Sequence, residues 1–269
     1  MKRQQTTGDL SPFARARRRP CVLSLAGFDP SAGAGVLADV KCFEQHHVYG
    51  FAICTAMTVQ NDMEFLSCEW RSAARIIGEL EPLIRKFNLV AAKVGLIRDE
   101  EVLLEVVSYL KSSMPGIRIV FDPVLKASAG FSFHNWNDGL SRLRRVLEKL
   151  ELICPNFEEM TVMGNRETKA QDTARDWAQY CPVLLKGGHH PSEPGTDYLY
   201  LSGGQTCEVI ELRPVRGNIY EKHGSGCVLS AAVTANLALG QDLPTACRLA
   251  KSYTEAFLKS NETLLGYHS

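Results

Sequence analysis

From Pro20 onward the chain repeats one pattern: a short apolar run, a polar or glycine cluster, then a stretch of helical period. Residues 21–26, 49–59, 89–94, 117–121, 152–154 and 183–185 read as strands. Residues 34–45, 72–87, 100–110, 137–147, 173–179, 227–239 and 243–259 read as helices, and 197–201 with 206–212 as a hairpin around Gly203-Gly204. Such alternation predicts an α/β fold, with a central, mostly parallel sheet flanked by helices on both faces. No linker, repeat or low-complexity tract interrupts residues 20–269, which predicts one domain. Residues 1–19 stand apart. They carry Lys2, Arg3, Arg15, Arg17, Arg18 and Arg19 against the single acid Asp9, with little apolar periodicity. They read as a disordered basic tail, the alternative being a targeting or docking arm.

Composition narrows the function classes. Lys and Arg total 30 and Asp and Glu total 30, so the formal net charge is zero. A general nucleic-acid binder needs a basic footprint that this chain lacks. No run approaches about 18 consecutive apolar residues, which argues against a membrane span. Nine cysteines occur without a C-x-x-C pair. The first apolar run, 21–27, is too short for a secretory signal. Free thiols in a reducing cytoplasm are therefore expected.

In an open α/β sheet, ligands bind outside the carboxyl ends of the strands. Here those ends carry Gly27-Phe28-Asp29, Gln60-Asn61-Asp62, Lys93-Val94-Gly95, Asp122-Pro123, Pro155-Asn156 and Lys186-Gly187-Gly188-His189. A further cluster, His223-Gly224-Ser225-Gly226-Cys227, precedes a helix that is apolar at 10 of the 13 positions from Cys227 to Leu239. The N-terminus of a buried helix offers free N–H groups and a positive dipole end, and its glycines admit an anion to the backbone. A plain glycine-rich helix start is the alternative. Cys227 falls in the first turn, where a thiol pKa is expected to drop and a thiolate can serve as base; an inert core cysteine is the alternative.

Gly33-Ala34-Gly35-Val36-Leu37-Ala38 matches the dinucleotide pattern G-x-G-x-x-A, but too far beyond its strand and without the acid expected after the second strand. Asn156 and Glu159 share a helix face. They can hold a hydrated Mg²⁺ beside phosphates, or they can simply form a capping box. Lys186 is a cation suited to phosphates. His189-His190 lacks a third metal ligand. The P-loop, G-x-S-x-G and H-E-x-x-H patterns do not occur.

Ala26-Gly-Phe-Asp-Pro-Ser-Ala-Gly-Ala-Gly-Val-Leu-Ala-Asp39-Val-Lys41 resembles the opening of the hydroxymethylpyrimidine and phosphomethylpyrimidine kinases, members of the ribokinase-like superfamily. The likeness continues in order through Thr58-Val-Gln60-Asn61, Lys93-Val-Gly95, Asp122-Pro-Val124, Pro155-Asn156, Glu159, Lys186-Gly-Gly-His189 and His223-Gly-Ser-Gly-Cys227. It implies ATP-dependent, Mg²⁺-assisted phosphoryl transfer onto 4-amino-5-hydroxymethyl-2-methylpyrimidine, its monophosphate, or both, by a homodimer. By position, it implies that Gly224, Ser225, Gly226 and Cys227 form the anion hole, with Cys227 as base. Asn156 and Glu159 would manage Mg²⁺ and phosphate, and Lys186 and Asp122 would face nucleotide and metal. Gly27, Asp39, Gln60 and Leu96 would line the pyrimidine pocket.

A Gln side chain matches the donor–acceptor edge of an aminopyrimidine, as it matches adenine. Phe28, Ala32, Ser225 and Leu96 stand where the family usually has Ser, Gly, Thr and Met. The last of these resembles variants that act only on the monophosphate. Pyridoxal kinase, a non-catalytic pyrimidine sensor and a nicotinamide dehydrogenase are the competing readings.

Overall fold

The computed structural model describes residues 19–126, 133, 140–164, 167–188, 190, 193–203, 206–215 and 217–269. Among these residues, one sheet of nine strands runs through the molecule in the order β3-β2-β1-β4-β5-β6-β7-β8-β9. Its centre is β1 (Cys21–Phe28), whose interior is buried on both sides. This explains the unbroken apolar run, because a parallel strand covered on both faces has no solvent side to mark with polar residues. Alternate residues still go to different places. Leu23 and Leu25 join one apolar cluster and Val22 the other.

After β1, helix α1 (Gly35–Gln45) crosses over to β2 (Tyr49–Gln60), which pairs with β1 in parallel. Strand β3 (Phe65–Trp70) turns back antiparallel on β2. It has no counterpart among the sequence-predicted strands, because Asp62 and Glu64 break the apolar pattern beside it. The turn is made by Asn61, whose Oδ1 accepts the N–H groups of Met63 and Glu64, both at 2.8 Å, a local bond typical of Asn in turns.

Helix α2 (Ala73–Lys86) starts on a Ser72 cap and leads to β4 (Leu89–Val94), on the other flank of β1. Helix α3 (Glu100–Ser113), capped by Asp99, precedes β5 (Arg118–Phe121). Then come α4 (Leu140–Leu147), β6 (Leu152–Ile153), α5 (Phe157–Met163), α6 (Ala170–Trp177) and β7 (Val183–Leu185). The strands β1, β2, β4, β5, β6 and β7 are parallel, as the alternation predicts. The hairpin of β8 (Asp197–Gly203) and β9 (Thr206–Leu212) closes the far edge.

Helix α7 (Ser225–Ala238) is apolar all round and buried, with α8 (Leu243–Lys259) packed beside it. A helix without a polar face has to lie inside, and α7 does so against β4, β5 and α1. The helix expected over 137–147 begins at Leu140; its first three positions, residues 1–18 of the basic tail, His189 and Gly204 lie outside the described residues. No helix among the described residues is long and apolar enough to cross a membrane.

The chain leaves β1 for β2 on one side, and β4 and its successors extend the sheet on the other. The crevice at such a reversal, outside the carboxyl ends, is where a ligand fits.

Candidate active site

A cleft of about 1820 Å³ opens along these carboxyl ends and runs under the β2–β3 hairpin, from which Gln60, Asp62 and Met63 face it. Gly27, Leu96, Asp122, Asn156, Glu159, Lys186 and Gly224 to Cys227 all line it. Residues spread over 200 positions of sequence are thus brought to one wall.

One corner of the cleft is built first by backbone. Gly224 is the N-cap of α7, with φ 75°, and no side chain caps that helix. A Cβ at Gly224 would lie 2.1 Å from the Gly33 carbonyl oxygen, so only glycine lets the two loops close on each other. The Ser225 N–H donates to the Lys222 carbonyl at 3.4 Å, and the next N–H groups of the first turn, those of Gly226 and Cys227, remain available to an anion. Lys186 reaches the same corner. A Cβ placed on Gly226 would sit 3.3 Å from its Nζ. The ammonium donates to Asp122 Oδ1 at 2.6 Å and lies 3.6 Å from Glu159 Oε2. Burial opposes this charge, but Asp122 and Glu159 outweigh it and hold Lys186 above the ordinary lysine range. Ser230 on α7 fixes the other oxygen of Asp122 at 2.8 Å.

Asn156 and Glu159 form the capping box of α5. The Glu159 N–H donates to Asn156 Oδ1 at 2.8 Å, and the Asn156 N–H to Glu159 Oε2 at 2.7 Å. The capping alternative thus holds, and it coexists with a place on the cleft wall. Burial pushes the Glu159 carboxyl up to about 7, with Lys186 opposing and Asp122 adding to the rise. Among the described residues no group of three or more His, Cys, Asp or Glu side chains is arranged to hold a metal. Asp122 and Glu159 do fit the looser demand of Mg²⁺, which takes one or two carboxylates and fills its shell with water and phosphate oxygens.

Cys227 corrects an expectation. Its position in the first turn of α7 predicts a lowered pKa, yet the thiol is held above its ordinary value. Burial is the largest cause, and the negative charges of Asp122 and Asp39 add to it. Lys93 and a Gly35 N–H pull the other way and do not win. A thiol expected as thiolate is therefore protonated at rest.

Asp39 also corrects an expectation, since it does not line the cleft. Its side chain is fully buried one layer below, paired with Lys93 and accepting from Ser24 at 2.6 Å. Lys93, equally buried, donates to the Cys227 carbonyl at 3.3 Å. Burial disfavours that ammonium, but the carboxylates of Asp39 and Asp122 keep it charged. The pair thus supports the floor beneath the first turn of α7; the sequence places Lys93 at a strand end, and only the structure gives it this role.

Leu96 packs on Gly27, where an added Cβ would meet its Cδ2 at 3.0 Å. The Thr55 hydroxyl donates to the Leu96 carbonyl and sets its backbone. Gln60 ends β2, half-buried, and among the described residues no partner holds its side-chain amide.

Asp29 and His223 were missed as well, although both lie within motifs quoted above. Asp29 accepts from the Ser31 and Ala34 N–H groups, each at 2.9 Å, and its Oδ2 lies 2.8 Å from His223 Nε2. The loop before α1 is thereby tied to the loop before α7. The same bonds remove the dinucleotide reading: a carboxylate already sits at the start of α1, where a pyrophosphate would have to bind. His190 stacks edge-on against Phe157, with ring centroids 4.5 Å apart.

The sequence profile described as phosphomethylpyrimidine kinase matches residues 29–269. A hydroxymethylpyrimidine/phosphomethylpyrimidine kinase of Aquifex aeolicus is 32% identical over 253 residues, covering 91% of this chain and 97% of its own. The crystal structure of a phosphomethylpyrimidine kinase from Clostridium difficile matches with TM-score 0.70 and 28% identity, over 88% of this chain and 98% of that one. An ADP complex of Bacillus subtilis pyridoxal kinase matches with TM-score 0.72 and 25% identity, over 90% and 92%.

Proposed function

The chain belongs to the phosphomethylpyrimidine kinase family, and on that premise we propose that its cleft moves the terminal phosphoryl group of ATP onto 4-amino-5-hydroxymethyl-2-methylpyrimidine phosphate. The product is the diphosphate used in thiamine biosynthesis. The observation that carries the reading is the meeting of the Lys186 ammonium with the uncapped first turn of α7. Phosphoryl transfer asks the protein mainly for positioning and charge stabilisation, and a cation beside a helix N-terminus supplies both.

In this reading, Lys186 and the N–H groups of Gly226 and Cys227 take the charge that builds on the migrating group. Asp122, held by Ser230 and Lys186, and Glu159 would hold Mg²⁺, which when bound supplies further positive charge to the phosphates. Gln60 reads the aminopyrimidine edge, and Leu96 packs behind it on Gly27.

The protonated Cys227 thiol favours the monophosphate as acceptor. An alcohol must lose a proton before it attacks. A phosphate monoester has a second pKa near 6, so near pH 7 it is mostly a dianion and needs no base. Cys227 can serve the alcohol as a base only through its minor thiolate form, and loss of that form in Cys227→Ala should lower kcat on the alcohol by about tenfold or more and on the monophosphate much less, general-base help being worth ~10²–10⁴-fold. Equal fractional losses on both would contradict this role.

The same reading takes a homodimer from the family likeness and a cytoplasmic location from nine cysteines without a C-x-x-C pair. Its direct test is ATP consumption by the purified protein with the alcohol, the monophosphate and pyridoxal side by side. Turnover fastest on the monophosphate is expected, and preferential turnover of pyridoxal would overturn the assignment.

A further inference from the structure

Lys251 lies on α8 and does not line the cleft, yet a chain of short bonds joins it to the Lys186 turn. Its Nζ donates to the Gly195 carbonyl at 2.6 Å and to Asp197 Oδ2 at 2.9 Å. The other Asp197 oxygen accepts the Gly187 N–H at 2.7 Å. The Gly187 carbonyl in turn accepts from the N–H groups of Gly195 at 2.7 Å and His190 at 3.0 Å. Gly187 directly follows Lys186 and is packed so closely that an added Cβ would fall 1.7 Å from the Thr196 carbonyl oxygen. One turn along α8, Glu255 lies 3.7 Å from the Lys251 ammonium and accepts the Val215 N–H. Lys251, Asp197 and Glu255 are all buried.

For stability alone, such a buried ion pair brings little over an apolar pair of similar volume. What it does bring is direction. The carboxylate of Asp197 has one oxygen on the ammonium and one on the Gly187 amide, so the turn after β7 cannot rotate without breaking a charged bond.

We propose that Lys251 is a positioning residue for nucleotide phosphates. Acting through Asp197, it fixes the turn that keeps the Lys186 ammonium against the first turn of α7. This rests on the reading that Lys186 faces the nucleotide. A positively charged group two hydrogen bonds removed from the Lys186 turn thus sets nucleotide affinity without touching either substrate.

The test compares wild type with Lys251→Met, Lys251→Arg and Asp197→Asn. ADP affinity is measured by calorimetry, and KM is measured separately for ATP and for the pyrimidine monophosphate. Lys251→Met should weaken ADP binding and raise the ATP KM by about tenfold or more, the scale on which remote misplacement acts, while the pyrimidine KM stays close to wild type. Lys251→Arg, which can still meet Asp197, should recover most of the loss. Asp197→Asn keeps an acceptor for Gly187 but loses the ion pair; it should weaken ADP binding too, and it decides the matter if Lys251→Met does not fold.

Unchanged ADP affinity in a folded variant, equal rises in both KM values, or failure of the arginine to rescue would each overturn the proposal. A wild type that binds ADP but phosphorylates no pyrimidine would refute the substrate assignment and leave the ADP comparison decisive for Lys251. A wild type that binds no ADP would refute both.

Discussion

Ala32 has φ 57°, in the left-handed region, at a position where the resemblance set out above expects glycine. A Cβ there costs about 1–2 kcal/mol, part of which glycine returns through its freer unfolded chain. Ala32→Gly should therefore stabilise the protein by about 0.5–1 kcal/mol, read as a rise in melting temperature. A fall would show that the loop does not hold this conformation. Asp29 makes a prediction in pH. Burial acts to raise its pKa, but hydrogen bonds from His223 and Ser31 outweigh burial and bring it below the ordinary 3.8. A carboxylate lowered on folding contributes stability above its unfolded pKa and loses it as the pH falls through the folded value. Melting temperature should thus drop more steeply on acidification below about pH 5 in wild type than in Asp29→Asn, and the two curves should converge in acid. Parallel curves would mean that Asp29 is not held by these bonds. At this scale the sequence was legible where a strand-end residue faces the cleft, as Lys186 and Gln60 do. It misled at Cys227, because a first-turn position lowers a thiol pKa only if burial and neighbouring carboxylates do not reverse it.

Among the elements, α7 joins chemistry to fold most directly. Its apolar circumference buries it, and burial fixes its N-terminus at the cleft. That placement depends on Gly224, whose left-handed backbone and contact with Gly33 tolerate no side chain. Gly224→Ala should cost kcat about 10²-fold, the scale for losing one preorganised donor, with a smaller change in pyrimidine KM. A variant with normal kcat would remove the first turn of α7 from the mechanism. The helix itself was plain in the sequence, because ten apolar positions in thirteen leave no solvent face. The β2–β3 hairpin was half legible. Its first strand is apolar, but β3 is an edge strand whose exposed Leu66 and charged Glu69 carry no strict alternation. What defines it is pairing with β2, a tertiary contact.

At the scale of the whole molecule, the carboxyl ends of six parallel strands meet at one crevice. A ligand bridging their ends should stabilise everything at once. ADP at 100 times its dissociation constant adds about 2.7 kcal/mol, or roughly 5 °C or more in melting temperature for a chain of this size. Lys186→Met should lose most of that shift at the same ADP concentration. If it retained the full shift, the nucleotide would not be contacting the Lys186 corner. The sequence by itself determined the alternation of strands and helices, the parallel sheet and the residues at the strand ends. Each of these follows from periodicity and local backbone chemistry, which neighbouring residues carry together. Only the tertiary structure decided that Asp39 lies beneath the cleft with Lys93, that Asp29 meets His223, and that Lys251 reaches Gly187 through Asp197. Those contacts join residues 54, 194 and 64 positions apart. No local pattern encodes them, since a charge reveals its partner only once packing has excluded water from between them.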